Sequence, residues 1–102
     1  MNFEENTNKD FGPNKQRRSR FELWSEVLDF CLWNGRTQSW LIRKIGVNTR
    51  TIKEVLDFLH ARKLIEKKQE ENNGRELYFT TDAGKEALKQ YFLLVSKFFV
   101  KD

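Results

Sequence analysis

Residues 39–59 read SWLIRKIGVNTRTIKEVLDFL, and this stretch decides the fold. Ile52, Val55, Leu56 and Leu59 recur at i, i+3, i+4 and i+7, the spacing of one buried helix face. Asn48 precedes that stripe and is the expected N-cap, because its short amide oxygen can accept from orphan backbone N–H groups of the first turn. A helix is therefore expected from Thr49 to about Arg62. Upstream, Trp40, Leu41, Ile42 and Ile45 supply the apolar residues of a brief helix, with Ser39 as its expected cap and Gly46 as its break. The two helices meet across a short glycine-containing turn, a helix-turn-helix arrangement.

Working outward, Ser19-Arg20-Phe21-Glu22 fits a capping box, with Ser19 as N-cap and Glu22 three positions on. Trp24, Val27, Leu28 and Cys31 continue it as an amphipathic helix. Asn34-Gly35 is expected to end that helix, since both residues tolerate positive φ. Arg36-Thr37-Gln38 is expected to form a short edge strand. Downstream, Leu64–Lys68 and Arg75–Thr80 read as two strands joined by the polar run Gln69–Gly74, a β-hairpin. Thr81 or Asp82 then caps a last helix running to about Lys101. Residues 1–18 are polar, lack periodicity and hold Pro13, so they are expected to be a disordered tail with a basic end. The organisation is thus a tail over 1–18, a domain over 19–80 and a terminal helix over 81–102. The fold class is α+β, mostly α.

A chain of 102 residues with 38% hydrophobic residues fills one modest core. Its net charge of +4 favours a polyanionic partner, and the placement of the charge has to decide which. The one cysteine, Cys31, excludes an intrachain disulfide and suits a reducing, cytoplasmic setting. The first twelve residues have no apolar core, and no run is long enough to span a membrane, so neither a secretory signal nor a membrane partner is expected. His60 stands alone with only Cys31 as a possible soft partner, which excludes a metal site of three or four ligands. No nucleophile motif and no Gly-rich phosphate loop occurs, so no catalytic residue, cofactor or small-molecule effector is assigned and an enzyme is not expected.

Helix, short strand, helix, turn, helix, hairpin and long helix is the winged-helix order. The chain resembles small archaeal winged-helix regulators and chromatin proteins in four features. These are the basic start Arg18-Ser19-Arg20, the helix exit Lys63-Leu64-Ile65, the hairpin exit Tyr78-Phe79-Thr80-Thr81-Asp82-Ala83-Gly84, and the long terminal helix. The resemblance covers about residues 18–101. It departs at Lys63, where the family usually has glycine, so a strained turn or a different helix exit is expected there. The resemblance implies double-stranded DNA as partner, residence on the nucleoid, and pairing of the terminal helices of two subunits as an antiparallel coiled coil.

The residues themselves point the same way. Thr49, Arg50 and Lys53 fall opposite the buried stripe of the third helix, where a recognition helix presents its N-terminal residues to a major groove. Arg50 suits guanine or phosphate, Thr49 and Lys53 suit phosphate, and Asn48 and Thr51 flank them. Between Arg36 and Lys53 lie five cations, Arg36, Arg43, Lys44, Arg50 and Lys53, and no acid. In the hairpin, Lys67, Lys68 and Arg75 are candidate phosphate contacts, diluted by Glu66, Glu70, Glu71 and Glu76. Arg18 and Arg20 end a basic run that begins at Lys15 and can follow a phosphate backbone.

In the last helix, Leu88, Tyr91, Val95 and Phe98 repeat at three, four and three residues, a heptad-like seam. Phe92, Phe99 and Leu94 widen it. One small domain cannot easily bury all of these, so a homodimer through this helix is expected. The competing reading is a winged-helix module that binds another protein within a transcription or replication complex. The basic recognition helix argues against it, although Glu54 and Asp57 dilute that charge.

Overall fold

The computed structural model describes residues 19–99. The order is α1 (Arg20–Phe30), α2 (Gln38–Ile45), α3 (Thr49–Ala61), β1 (Ile65–Gln69), β2 (Glu76–Thr80) and α4 (Asp82–Leu94), closed by a π turn over Val95–Phe99. The strands form an antiparallel hairpin whose register runs from Ile65 opposite Thr80 to Gln69 opposite Glu76. This is a winged helix-turn-helix. The tail over residues 1–18, with Arg18, lies outside the described residues.

Local chemistry explains the helix starts. The Ser19 hydroxyl accepts from the Glu22 N–H at 3.1 Å, while the Glu22 carboxylate accepts from the Ser19 N–H at 3.0 Å. Asn48 Oδ1 accepts from the Thr51 N–H at 2.8 Å, as its position before the stripe predicts. Gly46 ends α2 in the left-handed region at φ 84°. The cap of α2, however, is Thr37 rather than Ser39: Thr37 Oγ1 accepts from the Trp40 N–H at 3.1 Å. The expected edge strand shrinks accordingly to one residue. Arg36 exchanges two backbone bonds with Tyr78, of 3.1 and 2.8 Å, Thr37 is already the cap, and Gln38 is helical.

The core joins Leu23, Val27, Leu28 and Cys31 of the α1 region to Leu41 and Ile45 of α2 and to Ile52, Val55, Leu56 and Leu59 of α3. Ile65, Tyr78 and Leu88 complete it. Trp24 sits at the rim of this core, and Leu23 takes the inner place beside Val27. Asn34-Gly35 does not stop α1, which already ends at Phe30, and neither residue has positive φ. Gly35 has another use. A Cβ there would lie 2.5 Å from the Phe79 ring, so glycine lets β2 close against the α1–α2 connection.

Each strand begins one residue later than its sequence pattern suggests, at Ile65 and at Glu76. Lys63 adopts φ 63°, the left-handed conformation expected where a lysine stands in place of glycine. The Leu64 N–H donates to Leu59 O at 2.9 Å and the Lys63 N–H to His60 O at 3.0 Å, the paired bonds of a Schellman exit. Thr81 caps α4 and binds this exit: its hydroxyl accepts from the Gly84 N–H at 3.0 Å and donates to Lys63 O at 2.8 Å. Gly84 packs so closely that a Cβ would meet the Leu64 carbonyl oxygen at 2.1 Å. That contact gives a physical reason for the glycine that follows the hairpin.

Candidate nucleic-acid interface

The helix-turn-helix presents one exposed basic surface. Arg43 and Lys44 occupy the last turn of α2, and Asn48, Thr49, Arg50 and Lys53 open α3 on the other side of the Gly46-Val47 turn. Arg43, Lys44, Thr49, Arg50 and Lys53 are exposed, as is Asn48, whereas Thr51 is half-buried. The first turn of α3 holds no acid, although α1 and α4 place Glu22 and Asp82 in theirs. A helix N-terminus carries positive partial charge, so cations there are disfavoured unless an anion is to be bound. The N–H groups, the dipole and the side chains of α3 therefore all attract the same kind of partner. The first acid on this face is Glu54, whose Oε2 lies 3.7 Å from Arg50 Nε.

The other cations expected from the sequence divide. Arg36 is half-buried and committed to the fold: its Nε donates to Phe30 O at 2.9 Å and its guanidinium stacks 4.0 Å above the Trp40 ring. It completes the carbonyl end of α1, so the fold already engages this cation. Trp40 in turn meets Phe30 edge-on at 5.3 Å, as a core-side ring. In the hairpin, Lys68 lies 3.7 Å from Glu66 and 5.2 Å above the Phe79 ring. Arg75 binds Glu70 at 3.0 Å. Each contact is made at least partly in solvent, so these pairs hold weakly and a phosphate can displace the carboxylate. Lys67 is exposed on β1, and Arg20 is exposed in the first turn of α1.

The terminal helix also divides. Leu88 is only 4% exposed and belongs to the protomer's own core, so it is not available to a partner. Tyr91 and Val95 are half-buried. Phe92, Leu94 and Phe98 are exposed, Phe98 by 67%. The π turn adds a residue to the last turn and rotates Phe98 off the Tyr91–Val95 line, so a regular heptad seam does not continue to the end. Sequence reasoning missed Leu93, exposed on yet another side of the same helix, and Phe21 of α1, which lines an apolar groove with Tyr91, Leu94 and Val95. Apolar residues on every side of one helix end were the available signal. It also missed the column in which Trp24 stacks on Phe58 at 4.1 Å and Arg62 caps that ring at 3.6 Å.

Burial pushes the Cys31 thiol up to about 12, against the opposing pull of Arg36, which makes it an inert core group. No helix among the described residues is long and apolar enough to cross a membrane.

Three helices, a hairpin wing and a packed return helix, with a basic turn-and-helix surface, define a winged-helix protein. The chain matches the winged helix-turn-helix family model over residues 17–96 and belongs to that family. No curated protein matches its sequence. Its fold is similar to that of a MepR mutant from a multidrug-resistant S. aureus clinical isolate, at 17% identity and a TM-score of 0.66, over 74% of this chain and 56% of that one. It is similar to the transcriptional regulator PcaV from Streptomyces coelicolor, solved with its natural ligand, at 23% identity and a TM-score of 0.66, over 81% and 58%. An S. aureus MepR mutant bound to an oligodeoxyribonucleotide matches at 20% identity and a TM-score of 0.60, over 74% and 59%. The chain thus spans less than two thirds of the length of each of these proteins.

Proposed function

We propose that this protein binds double-stranded DNA as a homodimer and acts as a transcriptional regulator or chromosome-organising protein. The first turns of α3 enter the major groove, with Arg50 at base edges or phosphate and Thr49 and Lys53 on phosphates. Arg43 and Lys44 extend the contact along the backbone, and Lys67, Lys68 and Arg75 of the wing reach a neighbouring strand. The observation that carries this reading is the acid-free, exposed opening of α3, where side-chain charge runs against the helix dipole. The S. aureus MepR mutant, solved with an oligodeoxyribonucleotide, shares the fold and supports it. The second copy docks on the apolar end of α4, where Phe92, Leu93, Leu94 and Phe98 stand in water in the single chain.

The test is fluorescence anisotropy with a random duplex at two salt concentrations. Log affinity should fall linearly with log salt, by about 0.9 per phosphate neutralised. Absence of binding to any duplex at low salt refutes the DNA reading and favours a protein-binding module. Sedimentation should give a dimer, and Phe98→Asp a monomer, because a carboxylate in that apolar contact has no partner.

A further inference from the structure

Glu54 is the acid of the α3 surface that stands nearest the helix opening, with Asp57 exposed one turn further on, and both work against a polyanion. Glu54 stands one helical turn from Arg50, its side chain 67% exposed beside an arginine 84% exposed. As a stabilising device the pair is poor. An exposed i,i+4 ion pair contributes about 0.3–0.5 kcal/mol at best, and the favourable order places the acid N-terminal to the base. Here the order is reversed, with Arg50 in the first turn of α3 and Glu54 after it. As a phosphate-binding device it is worse, since a carboxylate on the docking face repels phosphate and weakens binding to every sequence alike.

The contact geometry suits a third purpose. The Glu54 atom paired with Arg50 is Oε2, which lies 3.7 Å from Nε. An arginine engaged by a carboxylate at Nε can still offer its two terminal Nη groups, the planar fork that meets guanine O6 and N7 in a bidentate contact. Four residues of helix rise only about 6 Å, so Arg50 and Glu54 stand within roughly two base-pair steps of each other along a groove.

We infer that Glu54 is the specificity-determining partner of Arg50: it holds the guanidinium fork toward a guanine and weakens attachment to duplexes that lack one there. Arg50 is the contacting residue and Glu54 the positioning residue. The inference rests on the DNA-binding reading above.

The experiment uses the full chain as wild type, Glu54→Gln and Arg50→Ala, with circular dichroism to confirm equal folding. A site is selected from a random duplex library with the wild type, and binding to it is measured by anisotropy at fixed salt. Each guanine is then replaced in turn by 7-deazaguanine, which lacks the N7 acceptor. One replacement should weaken the wild type by ~10-fold, weaken Glu54→Gln by less than about threefold, and leave Arg50→Ala unchanged. Random duplex should bind Glu54→Gln roughly threefold more tightly than wild type. An equal 7-deazaguanine penalty in wild type and Glu54→Gln overturns the inference, as does a wild-type selection that enriches no guanine. Failure of the wild type to bind any duplex overturns the DNA-binding reading itself, and the two failures cannot be confused.

Discussion

Replacing Lys63 with glycine should make the protein more stable. Lys63 is the residue that leaves α3, at φ 63°, and its backbone supplies both sides of the exit: the N–H donates to His60 O, and the carbonyl accepts from Thr81 Oγ1. None of these bonds needs the lysine side chain, which is exposed. An L-residue in the left-handed region carries a cost of roughly 1–2 kcal/mol, because Cβ crowds the following carbonyl. Glycine removes that cost but enlarges the conformational freedom of the unfolded chain, which takes back about 0.4–1 kcal/mol. The net gain should be about 0.5–1 kcal/mol. For a domain of this size that raises Tm by roughly 2–8 °C. Thermal denaturation followed by circular dichroism measures it. Lys63→Ala is the control, since alanine keeps the Cβ and should melt close to wild type. A Lys63→Gly protein that melts at or below the wild-type temperature would refute the argument that this exit is strained.

Gly84→Ala should act in the opposite direction. Its Cβ would meet the Leu64 backbone carbonyl at 2.1 Å, and the forced shift should cost ~1–3 kcal/mol in urea denaturation. Arg36→Ala and Arg50→Ala separate stability from binding. The first loses the Phe30 bond and the Trp40 stack and should lower Tm, while the second should weaken duplex binding and change stability by no more than about 0.5 kcal/mol. The Cys31 thiol keeps its proton in the folded chain up to about 12, against an ordinary value of 9.0. Between those values the unfolded chain binds fewer protons than the folded one, so this contribution to stability is full below pH 9 and is lost as pH rises toward 12. Cys31→Ala should flatten that alkaline limb of a denaturation series, and a native thiol that reacts quickly with a disulfide reagent at pH 8 would contradict the burial.

What the sequence made legible was local. The α3 stripe, the Ser19 and Asn48 caps and the Gly46 stop each depend on residues within one or two turns, and each stands where its pattern puts it. The misreadings arise where distant residues compete. Ser39 and Thr37 are both able to cap α2, and the choice falls to Thr37 because Arg36 is held extended against Tyr78 of the wing. Counting charges places Arg36 in the basic surface and gives no sign of the aromatic ring and helix-end carbonyl that engage it. Leu88 shares a stripe with Tyr91 and Val95, and spacing alone cannot say that the core takes the first and leaves the others at the rim. The wing's near-neutrality, by contrast, was visible in its composition and is realised as the Glu66–Lys68 and Glu70–Arg75 pairs.

The same junction that strains Lys63 also bears on how a dimer would read DNA. The Thr81 hydroxyl joins the end of α3 to the start of α4, and Gly84 lies against the Leu64 carbonyl at the entry to β1. The Thr81 N–H adds a bond to Leu64 O at 3.0 Å. The end of α3, the hairpin and α4 therefore meet at one point with short contacts between backbones, and no flexible linker separates them. From that point α4 runs 13 residues, or about 20 Å, to its exposed apolar end. If two copies pair through those ends, as proposed, each recognition helix inherits its position from the pairing through a stiff lever. Binding two half-sites about 34 Å apart requires such a fixed relation. A loosened junction should then harm cooperative binding to a paired site more than it harms binding to a single half-site.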